Sequence, residues 1–304
     1  MSGNRRILAV GSVALDSVRT PFGRVHNALG GSATFFSASA RFFSPVSVVA
    51  AVGEDFPRRH LALMRRLKID TRDLRVERGA KTFRWSGYYD HDLNNAHTLR
   101  TDLNVFKTFR PEVSPENRRS RYLFLANIDP DLQNKVLAQM NGCALTACDT
   151  MNFWIAGKRK SLLGLLKKVD IFLCNDGEAR QLSGERNLLK AWRWVRSLGP
   201  RIFVIKKGEH GVLCFADGFL FSLPAYPLEK VFDPTGAGDS FAGWFMGCLS
   251  RSSRITHHSI RQAVIYGSVL ASYNVESFSL DRVAKLTHAD IAQRYKQFRE
   301  LTKF

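Results

Sequence analysis

Asp233-Pro234-Thr235-Gly236-Ala237-Gly238-Asp239-Ser240-Phe241-Ala242-Gly243 is the stretch on which the reading of this 304-residue chain turns. It follows an extended run at Phe219–Phe221 and a proline-containing turn. It leads into an apolar, small-residue segment, Ser240 to Leu249, with helical spacing. Gly236 and Gly238 lack the side chains that would hold the backbone away from a ligand. The first amides of a helix have no partner inside it, so Gly236, Ala237 and Gly238 form a cradle for a phosphate or a developing anion. Asp239 sits at the same terminus, where its carboxylate can take a proton from an incoming hydroxyl. An anion cradle beside a carboxylate base suits transfer of a phosphoryl group to an alcohol. A helix cap and a plain turn account for the same residues one by one.

Outward from this segment the chain alternates strand-like and helix-like pieces. Ile7–Val10, Val46–Val52, Tyr122–Ala126, Ile171–Cys174 and Ile202–Ile205 are short apolar runs of the kind buried in a parallel sheet covered on both faces. Between them, Ala33–Phe43, Arg58–Leu67, Leu132–Met140, Leu162–Lys168 and Leu188–Leu198 have helical spacing. The alternation predicts an α/β fold with a doubly wound, mostly parallel sheet. Two regions depart from it. Asp16–Leu29 is polar, contains Pro21 and Gly23, and is too irregular for a core helix. Thr82–Phe109 carries Phe83, Trp85, Tyr88 and Tyr89, a turn at Asp92-Leu93-Asn94-Asn95, and then Thr98–Thr101, a hairpin pattern that predicts a small β lid. No linker or repeat divides the chain, so one domain over 1–304 is expected, with lid segments near 16–29 and 82–109.

Composition narrows the function classes. Hydrophobic residues make up 45% of the chain, enough for a large core and too many for a disordered protein. No apolar run approaches the length of a transmembrane helix. Met1–Arg6 passes directly into Ile7–Gly11, which reads as a first strand and not as a signal peptide. Cys143, Cys148, Cys174, Cys214 and Cys248 contain no C-x-x-C pair, which fits a reducing, cytoplasmic setting. Lys and Arg total 45 against 27 Asp and Glu, a net charge of +18. The basic residues are scattered in pairs and no nucleic-acid motif accompanies them, so a nucleic-acid partner is not expected. There is no G-x-x-x-x-G-K-[ST], no G-x-S-x-G and no H-E-x-x-H, and the adjacent His257-His258 pair does not face one direction on a helix.

The eleven-residue stretch resembles the signature of the ribokinase family, also called the PfkB carbohydrate kinases, written D-T-x-G-A-G-D-x-F-x-x-G. Pro234 stands where that pattern usually has Thr. Other pieces resemble the family in the same order, over residues 5 to 302. Val10–Asp16 is similar to its first strand, which implies that Asp16 binds acceptor hydroxyls. Gly30-Gly31-Ser32-Ala33 resembles the G-G motif, where backbone approaches substrate. Asn175-Asp176-Gly177-Glu178 resembles the N-x-x-E motif, which implies that Asn175 and Glu178 serve magnesium through water. Lys206-Lys207-Gly208-Glu209-His210-Gly211 resembles the nucleotide-binding turn, which assigns Lys206, Gly208 and Gly211 to the nucleotide. Asn274 falls where adenine-pocket residues occur. Each piece also has a plain structural reading: a capping pair for Asn175 and Glu178, a hairpin turn for Gly208 and Gly211, a helix end for Asn274.

The resemblance implies a three-layer, ribokinase-like fold and an ATP-dependent kinase acting on a hydroxymethyl group. The cofactors would be ATP and Mg2+, with a monovalent cation such as K+. Asp239 would be the general base. The acceptor is a small sugar, polyol or nucleoside, and a homodimer through the lid is a natural assembly. A non-catalytic binding protein on the same scaffold is the reading from a different class. Two departures bear on the acceptor. Ala14 replaces an Asn of the first motif, and Phe35, followed by Phe36, replaces the Asn that normally follows the G-G pair. Two polar sugar contacts are thereby absent, which disfavours ribose itself. Phe35 or Phe36 either packs into the core or stacks on a nucleobase or the flat face of a ring in the site, and the lid aromatics Phe83, Trp85 and Tyr88 allow the same argument.

Overall fold

Every residue of β1 (Ile7–Val10) is buried, because the strand runs inside a sheet that has helices on both faces. The structure is a computed structural model and describes residues 5–303; Met1–Asn4 and Phe304, the ends of the expected 1–304 domain, lie outside them. After β1 the chain forms β2 (Ala14–Thr20), β3 (Gly23–Gly30), α1 (Ser32–Ala40), β4 (Val46–Gly53), α2 (Arg58–Arg66) and β5 (Ile69–Glu77). A hairpin of β6 (Arg84–Tyr89) and β7 (Ala96–Asp102) follows. Next come β8 (Tyr122–Leu125), α3 (Pro130–Leu137), β9 (Leu145–Cys148), α4 (Asn152–Gly157) and α5 (Arg159–Leu166). Then come β10 (Ile171–Asn175), α6 (Asp176–Ser183), α7 (Leu188–Leu198), β11 (Ile202–Lys206), β12 (Val212–Ala216) and β13 (Phe219–Leu223). Three helices close the chain: α8 (Ala237–Arg251), α9 (His257–Asn274) and α10 (His288–Leu301).

The large sheet has the order β13-β12-β11-β10-β9-β8-β1-β4-β5. It is parallel from β11 to β5, and β12 and β13 add an antiparallel edge. Strand alternation sorts the side chains into two layers. Ile7, Ala9, Phe124, Leu173 and Val204 pack with Phe36 of α1 and with Phe241, Trp244 and Phe245 of α8. Leu8, Val10, Leu123, Phe172 and Phe203 pack on the other side with Val136, Leu162 and Val195 of α3, α5 and α7. This is the three-layer α/β arrangement that the apolar runs predict. None of the helices among the described residues is long and apolar enough to cross a membrane.

The second sheet has the order β3-β2-β6-β7. Asp16–Leu29, expected not to be a core helix, is extended. It supplies most of β2 and β3, which pair with the anticipated hairpin through β6. Much of β3 is open to solvent, so it lacks the apolar alternation by which a half-buried strand is recognised. The sheet reaches back over the large one: the Thr20 hydroxyl donates to the Phe232 carbonyl at 2.8 Å. At the hairpin tip, Asn94 Nδ2 donates to Glu209 Oε1 at 2.8 Å.

Candidate active site

Parallel strands end together at one rim of the sheet, and the polar residues that terminate them converge there. β9 ends at Cys148 and is followed by Asp149; β10 ends in Asn175; β11 ends in Lys206, its register partner. The Lys206 ammonium lies 2.7 Å from Asp149 Oδ2, with the Asp149 side chain only 4% exposed. Burial opposes the charge on Lys206, but Asp149, Glu178 and Asp239 outweigh it and hold the ammonium protonated. Asp239 is pushed up to about 7, first by burial and then by Asp149, with Lys206 pulling the other way. Glu178 is also raised to about 7 by burial and by Asp149.

The segment before α8 arrives in this cluster with a defined shape. Gly236 is in the left-handed region at φ +75°, and a Cβ there would stand 2.3 Å from the Phe35 ring. Gly236 therefore answers both a backbone and a steric requirement. Asp233 Oδ1 accepts the Thr235 amide at 2.9 Å and closes the turn. Of the three amides assigned to the anion cradle, Ala237 differs from expectation, because its N–H donates to the Pro234 carbonyl at 3.1 Å. Among the described residues, the Gly236 and Gly238 amides have no such acceptor. A Cβ on Gly238 would be 2.9 Å from Lys206 Nζ, which places the ammonium against the helix N-terminus.

Asp16 enters from β2. A Cβ on Gly30 would fall 1.9 Å from Asp16 Oδ2, so the missing side chain at Gly30 is the seat of this carboxyl. The Gly31 amide donates to Asp16 Oδ2 at 3.3 Å. Burial pushes Asp16 up to about 7, opposed by that amide and reinforced by Asp233 and Asp239. Phe35 and Phe36 both pack in the core, so of the two roles considered for them neither takes that of a stacking face in the site. Phe36 stacks on Phe124 in the core, with centroids 4.0 Å apart. Phe35 is 2% exposed and forms the floor beneath Gly236 and Thr235.

Several predicted residues have structural duties. Asn175 and Glu178 form a capping box: Asn175 Oδ1 accepts the Glu178 amide at 2.7 Å, and Glu178 Oε2 accepts the Asn175 amide at 2.8 Å. Gly208 and Gly211 both have positive φ in the β11–β12 turn, where the Lys207 amide donates to the Gly211 carbonyl. Asn274 is the clearest departure. It is 1% exposed, accepts from Ser240 Oγ at 2.9 Å and donates to the Thr235 carbonyl at 2.9 Å. Its amide braces the glycine turn from behind and is not presented to an adenine.

Two contributors escape a reading of the sequence. Asp149 has a faint signal, an apolar run ending in an acidic residue. Tyr89 accepts from Thr235 Oγ1 at 3.4 Å, and burial raises its phenol above the ordinary range. No group of three or more His, Cys, Asp or Glu among the described residues is placed to hold a metal by itself. A magnesium ion here would take phosphate oxygens and water as ligands, its usual habit. The carboxylates at the same rim fit that role through water.

A model of the pfkB family carbohydrate kinases matches residues 4–285. The chain belongs to the PfkB family. A cytidine kinase of Thermococcus kodakarensis is 29% identical over 251 residues, covering 81% of this chain and 88% of that protein. A 2-dehydro-3-deoxygluconokinase of Thermoproteus tenax is 27% identical over 236 residues, 71% of each. The crystal structure of the nucleoside kinase of Methanocaldococcus jannaschii, an archaeal member of the ribokinase family, matches with a TM-score of 0.78 at 19% identity. That match covers 96% of this chain and 98% of the other, and it shows the ribokinase-like fold. The chain is thus a kinase of this family, with similarity to both nucleoside and sugar kinases.

The tight packing at Gly236 carries a direct consequence. Alanine there is strained by about 1–2 kcal/mol in the left-handed region and must displace Phe35 or the turn. We expect Gly236→Ala to lower kcat at least about a hundredfold, since a misplacement of about 1 Å suffices for that. A second change, Phe35→Ala, restores part of the loss by removing the clash. Steady-state kinetics of the single and double variants check this.

Proposed function

We propose that this protein transfers the terminal phosphoryl group of ATP to a hydroxymethyl group of a small polyhydroxylated acceptor, either a sugar or polyol or the ribose of a nucleoside. The chain acts as one kinase domain whose small sheet is the lid. Asp16 holds acceptor hydroxyls and directs the hydroxymethyl group to Asp239, which takes its proton as general base. The Gly236 and Gly238 amides, at the N-terminus of α8, stabilise charge on the group in transfer. Lys206 balances the surrounding carboxylates and meets the incoming phosphates. The turn at Gly208–Gly211 borders the nucleotide. ATP and Mg2+ are the cofactors expected of the family, and the bound metal would neutralise phosphate charge. Contacts from Thr20, Tyr89 and Asn94 draw the lid over this rim and exclude water from the transfer. A monovalent cation near the glycine turn, a homodimer through the edges β3 and β7, and a cytoplasmic location complete the reading. The five free thiols accord with the last of these.

The observation that carries the proposal is the half-buried Asp239 carboxyl in the first turn of α8, beside two amides without protein acceptors. The test is ADP release from ATP in the presence of sugars, polyols and nucleosides in turn. Acceptor-dependent ADP supports the proposal, and its absence across all three classes contradicts it.

A pH dependence follows. A base with a pKa near 7 is protonated below that value and active above it. Therefore kcat/KM, which reports the unliganded enzyme, rises through about pH 7 to a plateau. Because Glu178 and Asp16 titrate in the same range, the rise belongs to the coupled group. A flat profile between pH 5.5 and 8.5, measured against roughly one unit of expected rise per pH unit below the pKa, would contradict the assignment.

A further inference from the structure

We propose that Trp85 is the platform on which the base of a nucleoside acceptor stacks, and that it separates nucleosides from free sugars. The inference rests on the phosphotransfer reading above and names its acceptor class. β6 runs parallel to β2, and Trp85 is the register partner of Asp16. Register partners leave the same face of a sheet, so the indole and the acceptor-binding carboxyl stand side by side. Tyr89, on that same face of β6, reaches Thr235 of the glycine turn. This is therefore the face turned toward the site.

The indole is laid down in a way that suits stacking. A Cβ on Gly87 would lie 2.4 and 2.5 Å from its Cζ2 and Cη2 atoms. The bare backbone at Gly87 is what allows the ring to lie along β6. Its Nε1 donates to Thr98 Oγ1 on β7 at 3.1 Å, which fixes the ring's edge. Of the other aromatic residues near this strand, Tyr89 is tied by its hydroxyl to Thr235, and two have ring partners. Phe83 packs on Phe106, and Tyr88 stacks on His97 with Arg19 over its ring. Trp85 has no aromatic partner among the described residues and is part-exposed. β6 is the strand next to Asp16, about 4.8 Å away, so a substituent that a sugar held at Asp16 extends across β6 meets the indole.

The rest of the pocket agrees with an acceptor that brings its own flat ring. Ala14 and Phe35, the two positions where the family pattern has Asn, are both buried and apolar here. Binding lost there must come from elsewhere on the acceptor. Stacking of a base on an aromatic side chain amounts to about 10–100-fold in affinity. A free sugar has no such face to offer.

The experiment uses the full chain with ATP and, as acceptors, cytidine, inosine, ribose and fructose. The wild-type protein is expected to have a higher kcat/KM on one of the two nucleosides than on either sugar. Trp85→Ala lowers kcat/KM on that nucleoside about 10–100-fold, mainly through KM. Trp85→Phe keeps it within about fivefold, since a smaller ring still stacks. A purely structural role would lower kcat and gain nothing from phenylalanine. The proposal is overturned if Trp85→Ala stays within about twofold of wild type, or if ribose or fructose is the better acceptor. Should no acceptor release ADP, phosphotransfer fails, and calorimetric titration with cytidine and inosine decides about Trp85 separately. Binding that weakens about tenfold or more in Trp85→Ala supports the platform, and no nucleoside binding to the wild type overturns it.

Discussion

Asp239→Asn is expected to lower kcat by about a thousandfold or more while ATP still binds and the fold is kept. General-base catalysis contributes about 10²–10⁴-fold, and an amide of the same shape cannot accept the proton. The side chain lies at the third position of α8, so asparagine preserves the packing of that turn. Stability should move the opposite way from activity. The carboxyl titrates near 7 in the folded chain against an ordinary value of 3.8. A raised carboxyl pKa means that the folded protein holds the proton more strongly, so stability falls as pH rises from about 4 through 7. At pH 8 the ionised, poorly solvated Asp239 is a cost that asparagine removes. A variant with much lower turnover and a thermal midpoint equal to or above wild type meets the expectation. Equal losses of turnover and stability would point to a packing role instead.

Lys206→Met should be the most destabilising single change at the site. The ammonium is 18% exposed and its partner Asp149 4%, so the pair is largely removed from water. Removing one member of such a pair costs about 3–5 kcal/mol, because the other is left as an uncompensated buried charge. Here the cost extends further, since Glu178 and Asp239 also lean on the same cation. With Lys206 gone, the Asp239 carboxyl rises above its present value near 7, and the activity that remains shifts to higher pH. Urea denaturation and a pH–rate profile read the two effects separately. Lys206→Met with Asp149→Asn should recover much of the stability and little of the activity. Failure of the second change to restore stability would show that the ion pair is not the source of the loss.

The parts of this molecule legible in its sequence are those whose signal is local. Apolar runs such as Ile7–Val10 and Ile202–Ile205 announce buried parallel strands because both faces are covered. The stretch from Asp233 to Gly243 announces its turn and helix because glycines, aspartates and the following small residues are contiguous. What the sequence hides is non-local or masked by solvent. Asp149 finds Lys206 57 positions away, and nothing near either residue signals the pairing. Lys206 is easily taken for a free cation facing phosphate, whereas it is also the counter-ion of three carboxyls. Gly30 is legible as a close approach, but its partner, Asp16 on the adjacent strand, is not. Asn274 ends a helix, yet its amide is spent on Thr235 and Ser240. β5 is charged along its length because it is the sheet edge, where polar side chains discourage pairing with another chain. The +18 charge is dispersed over the surface, and apart from Lys206 nothing in the structure explains it.

The central claim is that a hydroxymethyl group receives the phosphoryl group beside Asp239. It is tested most directly by proton-coupled phosphorus NMR of the product formed from ATP and the best acceptor in the ADP-release screen. The account predicts a phosphomonoester signal split into a triplet by the methylene protons, formed by the wild-type chain and not by Asp239→Asn. A doublet, which places phosphate on a secondary hydroxyl, would contradict it, and so would inorganic phosphate as the sole product.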